Sequence, residues 1–399
     1  MDFTFTEEQQ AAAEAARAVF AGVAPDGVPS PSLVPGAVAD DFDRALWAKL
    51  ADADLLSLLL DPAYGGSGLD PIALCLVLRE SAKVLARVPL LESSAAAVAV
   101  QAHGSEELKA ELLARVGRGE VVLTVAAHGR TGHDPAELAV TARREAGGVW
   151  VLDGVQTAVP WAHNADYIVV PATVAPESVD TSDAPYGAER NAVAATDGGT
   201  VLALVPRLHE GLTLAEQIST AGERLAELRL DTVRIADRDV LDAEGAWERL
   251  RELLATGTCA LALGLGEQVL GMTGEYAGKR EQFGFPIASF QAVAVQAADR
   301  FIDLRAMEAT LWQAAWRITS GAGGALPVSG DVAVAKIWAS EGVRRVVQTA
   351  QHLHGGFGAD VDYPLHRYHA WAKHLELSLG PAAAHEEALG DLLAAHPLG

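Results

Sequence analysis

The hydrophobic period of this chain changes twice, and those two changes limit the folds open to it. Up to about residue 120 apolar residues recur at helical spacing, in segments 7–20, 43–60, 71–85, 93–103 and 105–116. Thr6 followed by Glu7 and Glu8 reads as an N-cap with an acidic first turn, and Ser105 opens another helix. The second segment, with Leu46, Trp47, Leu50, Leu55 and Leu58 as its apolar positions, stops at Asp61-Pro62. From about Glu120 the texture becomes short and β-branched. V-V-L-T-V-A-A, L-A-V-T-A-R-R, G-V-W-V-L-D-G, Y-I-V-V-P-A-T, T-V-L-A-L-V-P and L-R-L-D-T-V-R-I are separated by Gly, Pro and Asp, as strands are. The polar, aperiodic stretch 175–200 reads as a mobile hairpin loop. Beyond Asp242 long helical runs return, at 247–280, 290–320 and 329–353, with one or two more after Tyr363. Gly257, Ala260, Gly264 and Gly271 let a neighbouring helix approach the first of them. The order predicts an α+β chain: an N-terminal helical domain at 1–120, a middle β-barrel or sandwich domain at 121–238, and a C-terminal four-helix bundle at 239–399.

Composition sets the outer limits. Half of the 399 residues are hydrophobic, enough for a sizeable core. A formal charge of −23 argues against nucleic acid as a partner, since a phosphate-binding surface needs net basic character. No uninterrupted apolar run reaches the roughly 18 residues of a membrane span, and the acidic N-terminus lacks a signal-peptide pattern. Cys75 and Cys259 sit in apolar helical runs and read as buried free thiols. Together these suggest a cytoplasmic protein. His128, His133, His352, His354, His366, His369 and His374 fit no standard metal spacing, so no metal site is expected.

The strongest chemical signal is H-G-G-F-G at 354–358, between two helical patterns. Gly355 and Gly356 leave room for backbone amides to approach a phosphate, although a plain tight turn uses glycines too. Arg280, at the end of a long helix, offers a fixed fork of donors suited to a pyrophosphate; the alternative is a surface arginine in a K-R-E cluster. Phe283 reads as a cover for a ring edge or as a core aromatic. Gln291 reads as a cofactor hydrogen-bond partner or as a solvated helix residue.

These pieces, in this order, resemble the acyl-CoA dehydrogenase family. A-Y-G-G-S-G-L-D at 63–70, V-L-D-G-V-Q-T-A-V-P-W-A-H-N-A-D-Y-I-V-V at 151–170, G-K-R-E-Q-F-G-F-P-I-A-S-F-Q-A-V at 278–293 and Y-P-L-H-R at 363–367 each resemble a segment of it, so the likeness spans nearly the whole chain. Q-H-L-H-G-G-F-G and A-K-H-L-E-L-S-L-G further resemble subunits of heteromeric steroid and branched acyl-CoA dehydrogenases. The resemblance implies FAD as cofactor, an acyl-CoA substrate, and cofactor contacts from Arg280, Phe283, Gln291, His352, Gly355 and Gly356. It also implies a flavin site built across a subunit interface, in an α2β2 assembly with a partner acyl-CoA dehydrogenase subunit or in a homo-oligomer.

The family's reaction needs a carboxylate to remove the α-proton of the thioester. Carrying the family's two base positions onto this chain gives Leu379 and Leu254. Glu376 is one helical turn from Leu379 and is the candidate relocated base; Glu252 lies two residues before Leu254, and Glu267 reads as a packing or capping residue. The family's flavin-side loop corresponds to V-A-A-H-G-R-T-G-H-D at 125–134, flanked by Thr124 and Asp134. Its tryptophan–Ser/Thr pair corresponds to Pro160-Trp161-Ala162, and its Gln before Gly-Gly to His352, with Gln351 one position earlier. Three readings follow: a base-lacking subunit of a heteromeric enzyme, a self-sufficient dehydrogenase using Glu376, and a paralogue that is purely structural or a related flavin oxidase or monooxygenase.

Overall fold

The computed structural model describes residues 4–131, 137–175 and 199–396. The hairpin expected at 175–200 lies almost wholly outside them, as do His133 and Asp134. Five helices come first: α1 (Glu7–Phe20), α2 (Arg44–Asp52), α3 (Pro71–Lys83), α4 (Leu90–His103) and α5 (Glu106–Gly117). Thr6 closes a capping box on α1: its hydroxyl accepts from the Gln9 amide at 3.2 Å, and the Gln9 side chain accepts from the Thr6 amide at 2.9 Å. The side chains of Asp70 and Ser105 cap α3 and α5. The second helix is shorter than its leucine spacing predicts. Asp54 takes φ 55, which ends helical geometry, and Leu55, Leu58 and Leu60 are buried from irregular backbone instead.

Among the described residues the middle block is one mixed sheet of eight strands: β1 (Leu123–Val125), β2 (Val140–Glu145), β3 (Val149–Pro160), β4 (Tyr167–Val174), β5 (Thr200–Pro206), β6 (Leu212–Ile218), β7 (Arg224–Ala236) and β8 (Val240–Leu241). The order is β6-β7-β3-β2-β4-β5-β8, with β1 pairing parallel to β4. Sequence pattern identifies all of these strands except β6 and the two-residue β8; β6 alternates too weakly to read as a strand.

The C-terminal part holds α6 (Ala246–Lys279), a hairpin of β9 (Glu281–Gln282) and β10 (Phe285–Pro286), then α7 (Gln291–Ser320), α8 (Val328–His354), α9 (Leu365–Leu377) and α10 (Ala382–Ala395). The helices before and after the sheet in the chain pack together into one hydrophobic core, while the strands build a second, smaller one. By length and composition α6 is apolar enough to cross a membrane, yet 78% of its apolar window is buried inside the protein, as befits the central helix of a bundle. Gly264 explains how tightly α6 is held: a Cβ there would meet the Arg79 carbonyl oxygen of α3 at 2.0 Å. Beside it Arg79 pairs with Glu267 and Glu308, so Glu267 serves a half-buried ion cluster joining α3, α6 and α7.

Candidate active site

A narrow chamber of about 80 Å³ lies where the end of β3 meets α4, α6 and the end of α9. Leu254 of α6 and Leu379, just beyond α9, both line it, although 125 residues separate them. Its other apolar walls include Leu78, Leu91, Val125 and Leu375. Three lining residues that are not glycine hold left-handed backbone: Ala158 (φ 51), Trp161 (φ 57) and Leu379 (φ 58). Each such residue costs on the order of 1 kcal/mol, and such strain clusters at functional sites.

The turn carrying Leu379 is held from below. Lys336 is fully buried, and its three N–H groups are shared among the Ser340 hydroxyl at 2.7 Å and the carbonyls of Leu375, Glu376 and Gly380 at 3.2–3.3 Å. Its ammonium thus caps the carboxyl end of α9, and burial lowers its pKa to about 8. The His385 ring accounts for a further carbonyl, that of Leu379, at 2.9 Å.

The polar face of the chamber holds two carboxyls that sequence reasoning missed. Glu92 accepts from the Trp161 indole N–H at 3.1 Å, and Glu223 is only 4% exposed. Burial pushes both up to about 7, with Glu223 adding to the shift of Glu92 and Arg87 opposing that of Glu223. Burial acts the opposite way on His128 and His374, each lowered to about 4, so both are neutral at pH 7. The His374 Nε2 to Glu223 Oε2 distance of 3.9 Å is therefore no ion pair at that pH. Glu376, the candidate relocated base, pairs with Lys373 at 3.0 Å and does not line the chamber. Glu252 lines a separate groove beneath α10. Thr124 is buried and donates to the Pro160 carbonyl at 2.6 Å.

The expected cofactor residues sit elsewhere, at the far end of α6 and α8. Tyr276, one helical turn before Arg280, stacks on His354 at 4.3 Å and on Phe357 at 5.6 Å between centroids, so the end of α6 lies against the Gly355–Ala359 turn. Phe283 (φ 54) and Gly284 (φ 82) form a two-residue hairpin turn with both φ positive. Phe283 is 90% exposed and meets the edge of Phe290. Arg280, Gln291, His352, Gly355 and Gly356 are exposed too. It is Gln351, one position before His352, that steadies the glycine turn, donating to the Gly355 carbonyl at 2.9 Å.

Comparison with known proteins decides the family. The acyl-CoA dehydrogenase N-terminal domain matches residues 6–120 and the acyl-CoA dehydrogenase C-terminal domain residues 252–393. The chain is 36% identical to acyl-CoA dehydrogenase FadE27 of Mycobacterium tuberculosis over 363 residues, 89% of this chain and 90% of that protein. This chain belongs to the acyl-CoA dehydrogenase family. Two solved assemblies resemble it closely. A chain of the ChsE4-ChsE5 complex of Mycobacterium tuberculosis superposes with a TM-score of 0.84 at 33% identity, covering 100% of both chains. A chain of a variant of the Tcur3481-Tcur3483 steroid acyl-CoA dehydrogenase (ACAD) gives 0.83 at 35% identity, covering 98% of both. The family is an oxidoreductase family acting on CH–CH bonds, and solved structures of the same fold include PigA in complex with FAD and a glutaryl-CoA dehydrogenase of Mycobacterium smegmatis in complex with FADH2.

This family member fits that cofactor in one place and not in another. The exposed Arg280, Phe283 and Gly355-Gly356 fit a phosphate-bearing ring compound held against the outer surface. By itself the chamber, at about 80 Å³, does not enclose a three-ring flavin, since an engineered cavity of about 150 Å³ holds a single benzene. Among the described residues no lysine or arginine lines the chamber either. Among them, too, no cluster is suited to a metal ion, and Cys75 and Cys259 are buried free thiols whose pKa values burial pushes up, that of Cys259 to about 12.

Proposed function

We propose that this chain is the base-lacking subunit of a heteromeric acyl-CoA dehydrogenase, completing a flavin site on a partner subunit of the same fold. The observation that carries this reading is the pairing of Leu254 and Leu379 on one closed-in chamber, with the cofactor residues turned outward at the opposite end of α6. Arg280 holds phosphate, Phe283 covers a ring, and the glycine turn admits backbone amides. When bound, FAD supplies the hydride acceptor for α,β-desaturation of an acyl-CoA thioester. The same surface continues onto α7, where Val295, Phe301 and Ile302 are exposed, an apolar face suited to a partner's helices. The heteromeric ChsE4-ChsE5 relative and the steroid designation of the other assembly support a partner subunit and a bulky polycyclic acyl group.

The test is to purify the full chain alone and co-expressed with a flavin-bearing subunit. The chain alone is expected to be colourless and inactive, and the pair to hold FAD. Arg280→Ala and Phe283→Ala are expected to lower the FAD retained by the pair without dissociating it. Stoichiometric FAD and acyl-CoA turnover by the chain alone would overturn the reading, and loss of that turnover in Glu92→Gln or Glu223→Gln would pass the base role to those carboxyls.

A further inference from the structure

The glycine turn after α8 is fastened on every side but one. Gly355 takes φ 61 and ψ −140, a conformation that only glycine adopts readily. Its N–H reaches back to the carbonyls of Gln351 and His352 at the end of α8. Its own carbonyl accepts from the Gln351 side-chain amide at 2.9 Å. A carbonyl only accepts, so the nitrogen end of that amide is the end that faces it. A planar trans peptide points its C=O and its N–H in opposite directions. By holding the Gly355 oxygen, Gln351 therefore turns the Gly356 N–H the other way. Among the described residues no hydrogen bond ties up that N–H, and a Cβ built on Gly355 or Gly356 would meet nothing within 4 Å.

The surroundings keep this peptide from rolling over. A Cβ on Gly358 would lie 2.9 Å from Gln351 Oε1 and 3.0 Å from its Nε2, so the third glycine of H-G-G-F-G is the seat of the Gln351 amide. Before the glycines, His354 is buried, with Nδ1 2.8 Å from the Ala350 carbonyl and Nε2 3.1 Å from the Tyr363 hydroxyl. An Nδ1–H that donates to Ala350 leaves Nε2 to accept from the tyrosine, which is the neutral ring; burial lowers the His354 pKa in the same sense. After the glycines, Phe357 packs against Tyr363 at 4.4 Å between centroids. Tyr276 of α6 stacks on both His354 and Phe357. Both flanks of Gly355-Gly356 are thus pinned, and one backbone donor is left facing outward.

We propose that Gln351 is a positioning residue: its grip on the Gly355 carbonyl presents the Gly356 N–H to a phosphate oxygen of the FAD held by the partner subunit. The proposal rests on the reading that this surface completes a partner's flavin site. A glycine peptide without that grip samples both orientations, and a phosphate then has to select the outward one at a cost in affinity. Gln351 makes the selection before the cofactor arrives. Its own side chain faces the turn and acts only through the Gly355–Gly356 peptide.

The test strips FAD from the full chain in complex with its flavin-bearing partner, and titrates FAD back while following the quenching of flavin fluorescence. Gln351→Ala is expected to weaken FAD about tenfold, as loss of one hydrogen bond to a charged group does. Gln351→Glu keeps the shape but cannot donate to a carbonyl, and is expected to lose as much. Gly358→Ala displaces the Gln351 amide and is expected to weaken FAD by a similar factor. The double variant Gln351→Ala with Gly358→Ala is expected to be no weaker than either single one, because both act on the same contact. An unchanged melting temperature of the isolated Gln351→Ala chain separates this effect from a general loss of fold. FAD affinity unchanged in Gln351→Ala and Gln351→Glu, or losses that multiply in the double variant, overturns the inference. Arg280→Ala tells the two failures apart. If it weakens FAD while the Gln351 variants do not, the outward surface still serves the partner's cofactor and only the role of Gln351 falls. If neither weakens FAD, the reading of the surface falls as well.

Discussion

Replacing Glu223 with glutamine isolates the electrostatic cost of the chamber. Glu223 is 4% exposed, and burial, with Asp26 adding and Arg87 opposing, raises its pKa from the ordinary 4.5 to about 7. A carboxyl whose pKa is higher in the folded than in the unfolded state makes folding favour the protonated form. Its contribution is fully present below about pH 4.5 and is lost as pH rises through about 7. The shift corresponds to ~3 kcal/mol lost by pH 8. Glutamine has the same shape and stays neutral, so Glu223→Gln is expected to exceed the wild type by less than ~1 kcal/mol at pH 5 and by about 3 kcal/mol at pH 8. For a chain of this length that is roughly 3–4 °C in Tm. The difference between the two proteins is the quantity to follow, because His128, His374 and His385 titrate in the opposite sense. Their values fall from 6.5 to about 4, so their contribution is present above about pH 6.5 and is lost as pH falls toward 4. Thermal or urea unfolding of both proteins at pH 5, 6, 7 and 8 gives the answer. A difference that does not vary with pH, or a variant less stable at pH 8, refutes the electrostatic account of the chamber.

Two further substitutions test the packing around the site. Lys336→Met removes the ammonium donor from the carbonyls of Leu375 and Gly380 and leaves that of Glu376 only the Ser340 hydroxyl, and is expected to cost about 3 kcal/mol at pH 7 in urea unfolding; a neutral result would mean that water or backbone movement satisfies them. Gly264→Ala drives a Cβ into the Arg79 carbonyl and is expected to destabilise by about 3 kcal/mol, whereas Gly271→Ala on the same helix meets nothing within 4 Å and is expected to stabilise by up to ~1 kcal/mol. Thermal melts that rank these two glycine variants the other way would overturn the close α3–α6 contact.

What the sequence discloses depends on how local the signal is. Helix starts are legible to the residue at Thr6 and Ser105, because a cap acts within one turn. The second helix reads too long because leucines at 55, 58 and 60 satisfy a burial pattern equally well from irregular backbone. Leu254 and Leu379 pair through family resemblance and not through their own chemistry, since leucine at helical spacing reads as core. Glu92 and Glu223 escape a sequence reading for a different reason. One opens a helix and the other lies in a turn before a strand, and only the fold brings them to one wall. Left-handed backbone at Ala158 and Trp161 has no sequence signature at all.

The Leu379 turn bears on why a chain would keep the frame of a base without the base. A leucine that merely fills space has no use for φ 58, and relaxing to ordinary backbone would recover on the order of 1 kcal/mol. Instead the turn is pinned by a fully buried lysine and by the ring of His385. The pinning fixes where the leucine side chain lies: it separates the chamber from the groove beneath α10, and it lines both. Holding that wall in place makes sense if the chamber's shape matters, whereas a site that has lost all use would shed the strain. The same logic holds at Phe283, a left-handed aromatic that is 90% exposed and buries little within its own chain, as the proposed contact with a partner's cofactor requires. Strain retained at these two places, on a chain with leucine at both positions that the family resemblance gives for the base, fits the proposed subunit that binds on both faces.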